Sequence, residues 1–119
     1  MKRTILLVSS KTHAERFLPY FEDAGITINL EETLGRAFKR AQEIRPDAII
    51  FLLPEYWSDI TVFVEKIKRV PGFRTVPILY LGSLIESEDQ TILHRHGVKT
   101  LTLGPVPDAE VVRFIIKEL

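Results

Sequence analysis

Apolar residues fall into short blocks separated by polar stretches, and the blocks alternate between two periods. Ile5-Leu6-Leu7-Val8 is an uninterrupted apolar run, as expected of a strand covered on both faces. Ser9 and Ser10 end it, and Thr12 is the predicted N-cap of a helix. That helix reads from His13 to Ala24 and stops at Gly25 in the C′ position. Pro19 lies inside it and should remove one backbone bond and kink it. Ile26, Ile28 and Leu30 alternate with Thr27 and Asn29, which predicts a half-buried strand near a sheet edge. Leu34, Ala37, Phe38 and Ala41 then recur at helical spacing between Thr33 and Ile44, and Arg45-Pro46-Asp47 breaks the pattern.

Ala48 to Leu53 is the most apolar run in the chain and is the predicted central strand. Pro54-Glu55-Tyr56-Trp57-Ser58 reads as a loop, followed by a helix from about Asp59, its predicted cap, to Arg69. A strand from Val76 to Leu81, a helix from Glu86 to Arg95 ended by Gly97, a strand from Val98 to Leu103 and a helix from Asp108 onward complete the pattern. Strand and helix thus alternate five times. Right-handed crossovers make such strands parallel, with helices on both faces. A chain of 119 residues without repeat or linker suits one domain.

Composition narrows the chemistry. There are no cysteines, so disulfides, thiolate metal sites and cysteine nucleophiles are excluded, in keeping with a cytoplasmic location. Sixteen basic and sixteen acidic residues cancel, whereas nucleic-acid binding usually draws on a basic excess. The local cluster Arg36, Lys39, Arg40 and Arg45 has acidic neighbours and reads as a solvated helix face. No run approaches the roughly 18 apolar residues of a membrane span. Neither a nucleic-acid partner nor a membrane is expected.

The landmarks Ala24-Gly25, Arg45-Pro46-Asp47, Val76-Pro77-Ile78, His96-Gly97 and Gly104-Pro105 occur at the spacing seen in response-regulator receiver domains, and the chain resembles that family over essentially its whole length. The resemblance implies a flavodoxin-like, doubly wound parallel sheet of five strands in the order 2-1-3-4-5 with five helices. It also implies a site at the carboxyl ends of the strands. Receivers carry there an acidic pair for Mg²⁺, an aspartate phosphoryl acceptor, a hydroxyl and a lysine. Here the matching positions hold Ser9 and Ser10, Leu52, Gly82 and Gly104. Leucine has no lone pair with which to attack phosphorus. Without metal or lysine, nothing neutralises the charge of phosphoryl transfer. The aromatic switch position is Leu101. The resemblance therefore points to a degenerate, non-enzymatic pseudo-receiver without cofactor or metal, working in bacterial-type two-component signalling through a protein partner. It also implies a cis peptide before Pro105.

Several residues carry secondary readings. Ser9-Ser10-Lys11-Thr12 precedes a helix and could hold an anion on free amides, which would make the chain a small-ligand or anion sensor. Turn and capping chemistry explains the same residues, since no phosphate-loop glycine is present. Tyr56 and Trp57 could serve as a binding hot spot or fold inward to plug a pocket no longer filled by metal. His94 and His96 are two apart, so they do not share a helix face, and His13 stands alone. In the last helix Val111, Val112, Ile115 and Leu119 form a stripe about 100° wide. Phe114 and Ile116 flank it, either buried by neighbouring loops or forming a contact surface. The resemblance makes a homodimer through this helix plausible.

Overall fold

A computed structural model describes residues 3–52, 57–82, 87–102 and 106–119, with backbone alone at 57–58 and 87–89. Five strands, β1 (Thr4–Val8), β2 (Thr27–Glu31), β3 (Ala48–Leu52), β4 (Ile78–Gly82) and β5 (Val98–Thr102), alternate with helices. They form one parallel sheet in the order β2-β1-β3-β4-β5. The continuous apolar runs became the interior: every residue of β3 and β4 is buried. The alternating run became an edge, β2, most of it half-exposed.

The helices are α1 (Lys11–Glu15), α2 (Leu18–Asp23), α3 (Leu34–Ile44), α4 (Trp57–Arg69), α5 (Ser87–Arg95) and α6 (Asp108–Glu118). Alternate residues along each strand face opposite sides, so the sheet divides the core in two. Leu6, Ile49, Phe51, Ile78 and Tyr80 pack beneath α3, α4 and α5, which contribute Ala37, Phe63, Ile67 and Leu93. Ile5, Leu7, Ile50, Leu52 and Leu81 pack beneath α1, α2 and α6, with Phe21, Val112 and Ile115 from the helices.

Three expectations about the helices are corrected. Six helices occur among the described residues, not five, because Pro19 splits the expected His13–Ala24 helix rather than kinking it. Proline has no N–H for a bond to the Glu15 carbonyl. The chain instead tightens, with Arg16 N donating to His13 O and Phe17 N to Ala14 O, and Pro19 takes the first turn of α2. Ser10, not Thr12, caps α1: its hydroxyl accepts from His13 N at 3.2 Å. Finally, α4 begins at Trp57, two residues before the predicted start. Asp59 therefore lies in its first turn rather than capping it, and Trp57 is helical rather than part of a loop.

The ends of the elements are fastened by specific bonds. Asp47, at the amino-terminal edge of the sheet, accepts from Thr4 N at 2.7 Å. Arg45 closes α3 in the left-handed region (φ 50°), donates to Pro71 O at 2.7 Å and lies over the Phe73 ring. The two outer strands are tied to helices by charged side chains: Arg40 of α3 donates to the Asn29 carboxamide of β2, and Lys99 of β5 pairs with Glu118 of α6. No described helix is long and apolar enough to cross a membrane.

Candidate functional site

The carboxyl ends of β1, β3 and β4 bring Ser9, Leu52 and Gly82 to one rim of the sheet. Ser9 follows β1 directly and is buried. Its amide donates to Glu31 O at 3.1 Å and its hydroxyl to Ser10 O at 3.1 Å. Ser10 spends its hydroxyl on the α1 cap. Both serines thus satisfy backbone groups, as the turn-and-cap reading expects. Lys11 and Thr12 are exposed. The Lys11 amide, the first free donor of α1, bonds the Glu32 carboxylate at 2.8 Å. A side chain of the protein itself therefore occupies the position at which an anion would sit.

Leu52 is 2% exposed. It stands beside Leu81 of the neighbouring strand in register and belongs to the apolar cluster under α1, α2 and α6. Its environment is hydrocarbon, in which an ionised carboxylate would be strongly disfavoured. Leu101, in register with Leu81, is partly buried against the same cluster.

Gly82 is explained by a residue that sequence reasoning missed. Tyr80 lies two positions earlier on β4 and so shares its face. A Cβ on Gly82 would come within 3.0 Å of both Cε1 and the hydroxyl oxygen of Tyr80. The ring thus runs along the strand and covers the space that a hydroxyl side chain at position 82 would need. Tyr80 is 4% exposed, and burial pushes its phenol above the ordinary tyrosine range. A Tyr-x-Gly pair inside a strand was the available signal, because glycine leaves room for an aromatic ring on its own face.

The remaining candidates divide. Gly104, Pro105 with its expected cis bond, and Tyr56 lie outside the described residues, as does the side chain of Trp57. Phe114 is 49% exposed on α6, beside a groove of about 430 Å³ between β5 and α6. Ile116 instead packs partly buried against the core, so only Phe114 presents an open apolar face. The histidines are engaged separately: His94 meets the Thr100 hydroxyl at 3.1 Å and His96 meets Glu65 at 3.4 Å. Among the described residues, no group of three His, Cys, Asp or Glu side chains could hold a metal ion.

A five-stranded parallel sheet in this order, with its candidate site on the carboxyl rim, defines a doubly wound α/β protein of the flavodoxin-like class. The solved structures it resembles agree. Chemotaxis response regulator CheY4 of Vibrio cholerae superposes with a TM-score of 0.83 at 20% identity, covering 100% of both chains. The receiver domain of a signal transduction histidine kinase from Syntrophus aciditrophicus gives 0.77 at 25% identity over 97% of this chain and 88% of that one. HP1043, an orphan response regulator of H. pylori, gives 0.77 at 14% identity over 97% and 95%. Neither a protein-family model nor a curated protein matches the sequence. The chain has the receiver-domain fold of two-component signalling.

Proposed function

We propose that the chain is a pseudo-receiver, a receiver-fold module that binds another protein without being phosphorylated. The observation that carries this reading is Leu52, a side chain 2% exposed within an apolar cluster at the position where the resemblance places the phosphoryl acceptor. Two further features support it. The hydroxyls of Ser9 and Ser10 are committed to the backbone, and the Tyr80 ring lies over Gly82. Phosphoryl transfer needs an activated nucleophile and concentrated positive charge. A leucine, two spent serines and a glycine supply neither. A retained scaffold then serves through its surfaces, and Phe114 on α6 is the face we assign to a second copy of the chain.

Incubation with acetyl phosphate and Mg²⁺ tests the reading by intact mass. We expect the mass to stay unchanged and the melting temperature to be indifferent to Mg²⁺. A stoichiometric phospho-adduct defeats the proposal. The anion-sensor reading loses ground to the Glu32 carboxylate on the Lys11 amide. A stabilising thermal shift with phosphate or a nucleotide would revive it.

A further inference from the structure

We infer that Lys68 is a site of covalent acylation, its ε-amine taking an acyl group from a thioester and thereby loosening the connection between α4 and β4. This goes beyond the protein-binding reading and does not rest on it. Lys68 lies in the last turn of α4. Its Nζ donates to two main-chain carbonyls of the segment that follows, Val76 O at 2.8 Å and Arg74 O at 3.2 Å. Lys11, Lys39, Lys66, Lys99 and Lys117 are exposed, whereas Lys68 is half-buried. No described carboxylate pairs with it. Glu65, on the same helix, meets His96 instead. The Lys68 amine is thus desolvated against neutral dipoles alone.

That setting favours the nucleophile. The ammonium has three N–H groups, and the carbonyls of Arg74 and Val76 take two of them. Loss of the third proton leaves both bonds in place. The lone pair then occupies the remaining tetrahedral position, which points away from the two carbonyls. The group that clamps the segment is therefore also a held nucleophile. An ordinary lysine, with a pKa of about 10.4, keeps fewer than about one amine in a thousand neutral at pH 7, and only the neutral amine attacks. Burial lowers the Lys68 pKa from that range, a recurrent way of activating a lysine. Arg69, next in the chain, and Arg74 are exposed cations, which favours a thioester whose carrier bears phosphates.

In the step, the lone pair attacks the thioester carbonyl carbon. The N–C bond forms, the C–S bond breaks, and the sulfur leaves as a thiol with the proton that nitrogen gives up. The charge is lost, and the amide keeps one N–H, so at most one of the two carbonyls retains its donor. What remains on the segment is Arg45 on Pro71 O at 2.7 Å and the turn bonds from Phe73 N to Val70 O and Val76 N to Phe73 O. Val76 stands two residues before β4, so the loosened stretch adjoins the sheet.

The test incubates the full chain with acetyl-coenzyme A and follows each lysine by peptide mass spectrometry across pH. Lys68 should acetylate about threefold or more faster than the exposed Lys66 of the same helix, and its rate should level off below the pH of about 10.4 expected of an ordinary lysine. Acetylation should speed amide hydrogen exchange at Phe73 and Val76. Lys68→Arg keeps a cation for both carbonyls without a reactive amine, so the donor should leave exchange in that variant unchanged. Two results overturn the inference: Lys68 reacting no faster than Lys66, or an acetylated chain that exchanges those two amides as slowly as the unmodified one. The rate comparison uses the unaltered chain and so holds whether or not the variant folds. Acetyl and phosphoryl adducts differ in mass, so a phospho-adduct defeats the pseudo-receiver reading alone.

Discussion

Placing a carboxylate at Leu52, the position that the resemblance assigns to a phosphoryl acceptor, is the most informative perturbation, and Leu52→Asp should damage the fold rather than build a site. Leu52 is 2% exposed within an apolar cluster. Truncating a leucine so enclosed costs about 2–5 kcal/mol in lost transfer energy and cavity. Asparagine or protonated aspartate adds about 1–3 kcal/mol for a buried polar group without a partner. The sum, about 3–8 kcal/mol, is a large part of the roughly 5–15 kcal/mol that holds a domain together. The aspartate loss should also depend on pH. Burial in hydrocarbon raises the carboxyl's folded-state pKa above its unfolded value of about 3.9. The folded chain then holds a proton that the unfolded chain has released, so stability is fully present below pH about 4 and falls as pH rises through the folded value. Urea denaturation of Leu52→Asp and Leu52→Asn across pH reads both terms. Asparagine should show the flat cost, and aspartate that cost plus a widening deficit of up to about 1.4 kcal/mol per pH unit. If Leu52→Asp costs less than about 1 kcal/mol and shows no pH slope, the carboxylate sits in water. A hydrated pocket of that kind could hold metal, and the reasoning from burial fails.

Other outcomes follow from the same rim. Gly82→Ala should cost about 1–3 kcal/mol by overpacking, and Tyr80→Leu in the same chain should recover most of it; an additive double-mutant cycle would refute the contact. Because burial raises the Tyr80 phenol, the stability it confers is present below its unfolded pKa of about 10 and lost as pH climbs through the folded value. Tyr80→Phe should remove that alkaline loss, as followed by denaturation at rising pH. Ser10→Ala should cost about 1 kcal/mol by uncapping α1, whereas Thr12→Ala should cost far less, which urea midpoints distinguish.

The sheet was legible because its signal is local. Three apolar runs map onto β1, β3 and β4, the alternating run onto β2 and the mixed Val98–Thr102 segment onto β5, and the Arg45-Pro46-Asp47 break and Gly25 stop fall where the structure turns. The errors arose where two nearby choices competed. Ser10 and Thr12 can both cap, and the backbone chose the earlier one because α1 starts as soon as β1 ends. Pro19 could kink or divide a helix, and division prevailed because the segments on either side are each only about a turn long. At the rim, position-by-position comparison singled out Ser9, Ser10, Leu52 and Gly82 but not the neighbours that surround them. Tyr80 over Gly82 is a relation between two residues in space, and Glu32 on the Lys11 amide joins elements twenty-one positions apart. Neither follows from the identity of one residue.

Exposed sheet margins invite another chain's strand to zip on, and here both margins are guarded. Arg40 reaches out from α3 to Asn29 on one border and Lys99 is held by Glu118 on the other, so an incoming strand would meet a tethered cation at either side. Charged residues placed there discourage growth of the sheet by addition. Crowded solutions of this protein should therefore resist fibrillar stacking, and specific assembly is left to its helical flanks.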